Sequence, residues 1–142
     1  GPVAMPVAES VMRRLTRGRF VLSNLLVPSL VLHSTGAKSG ERRSVELMYT
    51  PDGHGRAIVA GTSFARERHP GWTYNLLANP DAEIGVRGTR YRVIATPIDD
   101  PDAREAAWAR IERQWPGYRS YERESGRTVR LFLLRLVERL EP

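Results

Sequence analysis

Three aromatic side chains, Trp115, Tyr118 and Tyr121, recur every third residue around a Pro-Gly break. Beside a pocket, a tyrosine hydroxyl donates a hydrogen bond or a proton to a reacting group. At the same spacing, aromatics also serve simply as core. A second candidate is the turn "STGAKSGERRS" at 34–44, which follows the apolar run "LVL". Backbone N–H groups in a glycine-containing turn form a concavity suited to an anion, and Lys38, Ser39, Arg42 and Arg43 add charge and hydroxyl donors. A phosphate is the economical occupant, and a solvated hairpin turn the plain alternative. The spacing is not that of a P-loop.

The third candidate is "GTSF" at 61–64, where small and hydroxyl residues follow a strand. They offer polar contacts to a ligand edge, or mark nothing more than a strand exit. The histidines are scattered: His33 within a strand, His54 in a turn, and His69 before a helix, which it could cap. With no cysteine and no paired ligand spacing, a metal site is not expected. Glu46 falls within a strand on the side opposite Leu47, as a solvent-facing or salt-bridged residue would.

These groups need elements to hold them. "SLVLHST" at 29–35 reads as a strand, and "SVELMYT" at 44–50 alternates with Val45, Leu47 and Tyr49 on one face. "PDGHG" signals a hairpin into "RAIVAGT" at 56–62, so three antiparallel strands are expected. "HPGWTYNLLANP" at 69–80 reads as a helix with Trp72, Leu76 and Leu77 inward, stopped by Asn79-Pro80. A hairpin over 82–98 turns at Arg87-Gly88. The next helix, 99–115, has Asp100 as N-cap and Pro101 as first residue, with Ala107, Trp108, Ile111 and Trp115 on one side. "TVRLFLLRLVERL" fits a final strand from Val129 to Leu134 that could continue as helix. Strands outnumber helices, which predicts a mainly β (α+β) fold: a small closed or half-closed antiparallel barrel with peripheral helices.

At 142 residues one barrel domain over 29–142 is expected, preceded by an N-terminal helical segment over 1–28. In that segment Val7, Val11 and Leu15 form an apolar face, and Arg13, Arg14, Arg17 and Arg19 follow. Such a helix packs on the domain or rests on an anionic membrane. The run at 20–32 is about a third short of a membrane span and contains Pro28. No signal peptide is visible, which predicts a cytoplasmic protein, with peripheral membrane contact through the basic helix as a variant. The net charge of +6 favours an anionic partner. It also raises a nucleic-acid-binding module, for which no recognition motif is present.

The order of the pieces is more specific than any one of them. "TGAKSGERRSVELMYTPDG", "IVAGTSF", "HPGWTYNLLANPDAEIGV" and "WPGYRSYERESGRTV" together resemble the deazaflavin-dependent nitroreductase family, split-barrel enzymes that use coenzyme F-420. The resemblance covers about residues 30–130. It implies a split β-barrel oxidoreductase that passes a hydride from the reduced deazaflavin to a hydrophobic acceptor such as a quinone, enone or nitroaromatic. By position it implies that Lys38, Ser39 and Arg43 hold the cofactor's phosphate and tail. It places Thr62 and Ser63 in the loop approaching the deazaflavin, Met48 beside the ring, and Trp72 with Asn75 on the helix shaping the pocket. Trp115, Tyr118 and Tyr121 become the substrate wall, with Tyr118 and Tyr121 as the catalytic phenols. A homodimer is a possible assembly. The competing ligand reading is a split barrel that binds FMN, haem or a lipid-like molecule without deazaflavin turnover.

Overall fold

The computed structural model describes residues 28–62 and 68–141. The N-terminal segment and Ser63 therefore lie outside the described residues. The strands are β1 (Ser29–Thr35), β2 (Arg42–Met48), β3 (Thr50–Pro51), β4 (Arg56–Gly61), β5 (Asp81–Val86), β6 (Thr89–Pro97) and β7 (Arg130–Leu140). Three helices, α1 (Gly71–Ala78), α2 (Pro101–Gln114) and α3 (Ser120–Ser125), lie between them. Every strand pairing is antiparallel, and the sheet order is β2-β1-β5-β6-β7-β4-β3.

That order forces closure. β2 and β3 are the two edges of the sheet, yet only Tyr49 separates them in the chain. Consecutive Cα atoms are about 3.8 Å apart, so the edges must meet where Met48 passes to Thr50, and the sheet curls into a barrel. The expected strand 44–50 is thus two short strands on either side of a corner, and the expected β2–β4 neighbourhood is absent: β4 pairs with β3 and β7. The Tyr49 N–H still donates to the Pro28 carbonyl, 3.1 Å away, which ties the corner to the start of β1.

Alternation then divides the side chains between two cores. Leu30, Leu32, Val59, Ile84, Val93, Phe132 and Leu134 fill the barrel, together with Trp72 and Leu76 of α1. Val45, Leu47 and Tyr49 pack against that cluster as their alternation required. Outside the barrel, Ala107, Trp108 and Ile111 of α2 cover Ile58 and Leu131. Asp100 caps α2 by accepting from the Ala103 N–H at 3.0 Å, with Pro101 following.

The remaining differences have physical causes. Leu77, expected inward, is 47% exposed, because an eight-residue helix resting on the barrel end can bury only the stripe formed by Trp72, Thr73 and Leu76. Trp115 is the C-cap of α2 and only partly buried, since Pro116-Gly117 ends the helix. The final segment stays a strand to Leu140: β6 offers partners as far as Arg90, so pairing outweighs its helical pattern. Arg87 and Gly88 both have positive φ, 51° and 79°, the primed turn favoured between twisted strands.

Candidate functional site

The turn between β1 and β2 is folded on itself. The Gly36 N–H donates to the Glu41 carbonyl at 2.8 Å, the Gly40 N–H to the Gly36 carbonyl at 3.0 Å, and the Glu41 N–H to Ser39 Oγ at 3.1 Å. A Cβ on Gly36 would collide with Ser39 Oγ, so a larger residue there would push that hydroxyl off the Glu41 N–H. Among the described residues, the Lys38 and Ser39 N–H groups donate to no backbone acceptor. Both residues are exposed, and turn amides together with a lysine side chain are the kind of donors an anion needs. Arg43 is exposed and pairs with Glu41 at 3.2 Å, an ion pair that a stronger anion could replace.

Asn75 anchors this turn. Its Oδ1 accepts from the Ala37 N–H at 2.8 Å and its Nδ2 donates to Ser34 Oγ at 3.2 Å. Asn79 adds a bond from Nδ2 to the Thr35 carbonyl at 3.3 Å. Asn75 therefore acts on the turn from α1. Trp72, on the same helix, lies in the barrel core 5.8 Å from the Phe132 ring and lines neither the turn nor the crevice described next.

A second group gathers at the other end of β2. Met48 shares a crevice with Ile58, Ala60, Ile111, Trp115 and Tyr118. Its free volume is about 10 Å³, so the side chains themselves fill it. The Tyr118 ring is 6.4 Å from Trp115 and meets Tyr121 edge-on at 4.9 Å. Tyr121 is 2% exposed, so Tyr118 is the phenol nearer to any ligand. The Tyr118 hydroxyl lies 3.4 Å from Thr62 Oγ1. Burial pushes the Tyr118 phenol above its ordinary value, and the bond to Thr62 works in the other direction. The group stays a neutral donor at physiological pH.

Two residues outside the sequence-derived set hold this end together. Gln114 Nε2 donates to the Tyr49 carbonyl at 3.2 Å, fixing the β2–β3 corner against α2. Arg127 Nη2 donates to the Thr62 carbonyl at 2.8 Å. Each partner is 65 positions away in sequence, so no local pattern could have marked either residue. His69 contacts Arg127 through Nδ1 at 3.2 Å and does not cap α1, whose N-cap is Pro70. His33 bonds to Ser44 at 2.7 Å. Glu46 is half-buried, makes no ion pair among the described residues, and is pushed upward by burial. No metal-binding cluster occurs among the described residues, nor is any helix there long and apolar enough to cross a membrane.

Met48 lies five residue steps along β2 from Arg43, roughly 17 Å at a strand's rise. A curled seven-stranded antiparallel sheet with a basic, glycine-containing turn at one end of β2 and an aromatic crevice at the other defines a split-barrel protein. The F420H(2)-dependent quinone reductase family matches residues 8–135, and the chain belongs to it. It is 38% identical over 109 residues to the F420H(2)-dependent quinone reductase Rv1261c of Mycobacterium tuberculosis, covering 75% of this chain and 72% of that protein. The solved structure of an F420-H2 dependent reductase, FDR-A, superposes with a TM-score of 0.66 at 26% identity, over 75% of this chain and 93% of that one. A second solved chain, described as a domain-swapped dimer, gives a TM-score of 0.67 at 26% identity, over 90% and 96% of the two chains.

Proposed function

We propose that the protein transfers a hydride from reduced coenzyme F-420 to a quinone. The observation that carries this reading is the family match over residues 8–135. The donor chemistry of the chain fits the cofactor: unbonded amides at Lys38 and Ser39 suit a phosphate, and Met48 offers an apolar edge to a ring. When bound, the reduced deazaflavin supplies the hydride.

In this reading Lys38, Ser39 and Arg43 hold the phosphate and tail, and Asn75 keeps their turn in place from α1. Thr62 and Ser63 approach the deazaflavin, with Trp72 supporting that end of the barrel from the core. Trp115 and Tyr118 form the acceptor wall, with Tyr121 packed edge-on behind Tyr118. A quinone that takes up a hydride also needs a proton on oxygen, and Tyr118, a neutral phenol oriented by Thr62, is the donor closest to the crevice. Because the crevice is filled by its own side chains, admitting an acceptor ring requires Trp115 or Tyr118 to move. A second copy of the chain is the favoured partner, supported by the relative described as a domain-swapped dimer. Residues 29–142 constitute the cofactor-binding unit.

Titration with oxidised F-420 tests the cofactor, and oxidation of the reduced form with menadione as acceptor tests the reaction. Salt-sensitive fluorescence quenching with turnover is the expected result. No quenching at micromolar protein would overturn the reading.

A further inference from the structure

Tyr74 and Leu77 lie three residues apart on α1, and each is 47% exposed. Single exposed apolar residues are ordinary, but Leu77 borders a cavity of about 320 Å³ that shares no residue with the anion turn or the Met48–Tyr118 crevice. Pro97, Leu131 and Phe132 supply further apolar lining, and Thr128 lies two residues before β7. Arg130 and His69 give the same cavity a polar side, with Asp99 and Arg104 also in its wall.

The charges there are unequal. Arg104 is already committed to Glu122 at 2.8 Å. Arg130 has no carboxylate partner among the described residues: it donates to Thr73 Oγ1 at 3.2 Å and lies 4.4 Å from the centre of the Tyr74 ring. A guanidinium carries five N–H donors, so most of its capacity is unused. A partly buried cation without a counter-ion favours an anion beside it. His69 adds a donor. Arginine cannot accept a hydrogen bond, so in the Arg127–His69 contact Nδ1 holds the lone pair and Nε2 carries the proton.

We propose that this cavity binds a small amphipathic carboxylate, its chain against Leu77, Pro97 and Phe132 and its carboxylate on Arg130. The volume lies at the low end for ligand sites, which limits the chain to a short one. Asp99 in the wall disfavours a doubly charged phosphate and leaves a single carboxylate as the better match. The site is independent of the cofactor reading.

The test is titration of the full chain with sodium octanoate, followed by calorimetry and by amide chemical shifts, with 1-octanol as the uncharged control. Saturable octanoate binding is expected, at least fivefold tighter than octanol, with shifts at Leu77, Thr128 and Arg130. Arg130→Met should weaken octanoate at least tenfold while changing octanol less than twofold. Asp99→Asn should tighten octanoate. Leu77→Glu, a change at an exposed position, should weaken both ligands. Equal affinities for the two ligands, unchanged octanoate binding in Arg130→Met, absence of saturation, or competition between octanoate and F-420 would each overturn the proposal. Failure of F-420 quenching alone, with octanoate binding intact, would count against the quinone reductase reading and leave this site standing.

Discussion

The hydroxyl of Tyr118 sits 3.4 Å from Thr62 Oγ1, joining the segment after α2 to the loop after β4 across 56 positions of sequence. The bond orients one phenol toward the crevice and stops short of ionising it. Tyr118→Phe should lower turnover with menadione by about 100-fold, the lower range for a lost proton donor, and change F-420 affinity less than twofold. A parallel loss of cofactor binding would remove Tyr118 from the acceptor side. Since the phenol is held above its ordinary value, the wild-type rate should keep its protonated limb past pH 10 and fall only as pH rises through the raised value.

Asn75 bridges the Ala37 N–H and the Ser34 hydroxyl. Asn75→Leu removes both bonds and should cost about 2 kcal/mol, at about 1 kcal/mol for each, measured by urea unfolding. F-420 affinity should fall with it. Lys38→Ala separates the two effects: it should weaken F-420 binding and flatten its salt dependence while leaving the unfolding midpoint unchanged.

Gly61 precedes Thr62, and a Cβ there would lie 2.7 Å from Thr73 Cγ2 and 3.4 Å from the Arg130 carbonyl. Thr73 is fully buried and its Oγ1 is bonded to the Pro70 carbonyl at 2.7 Å, so it cannot rotate away freely. Gly61→Ala should therefore destabilise by about 1–3 kcal/mol, as overpacking does, with thermal unfolding as the measurement. Gly71→Ala is the control, because the space at its Cβ is open.

His69 and His33 are both held below the ordinary histidine value, first by burial, then by arginines: Arg130 and Arg127 at His69, Arg42 at His33. A depressed histidine contributes stability that is present above about pH 6.5 and is lost as pH falls toward the folded value, because the unfolded chain takes up the proton first. Protonation of His69 also removes the lone pair that meets Arg127. Urea unfolding at pH 5 and pH 7.5 should show lower stability at the acid value, and His69→Gln should shrink that difference.

Local patterns were legible where a local cause governs them. Asp100-Pro101 opened a helix because capping is short-range, and Leu30 and Leu32 pointed inward because alternation sets the face. Leu77 was expected inward and the stretch after Leu134 stayed open between strand and helix, because burial on a short helix and pairing with β6 depend on partners distant in sequence. For the site, the turn at 36–40 and the aromatic triplet were visible as motifs. The bonds that position them, from Asn75, Gln114 and Arg127, were not.

By itself the sequence determined the barrel class and the family resemblance, since each rests on residue type and spacing along short stretches. The tertiary structure alone decided that the sheet closes at Tyr49, that Trp72 belongs to the core, and that Tyr118 rather than Tyr121 faces the crevice. Those outcomes depend on which distant surfaces exclude water together, and that is fixed only when the chain closes on itself.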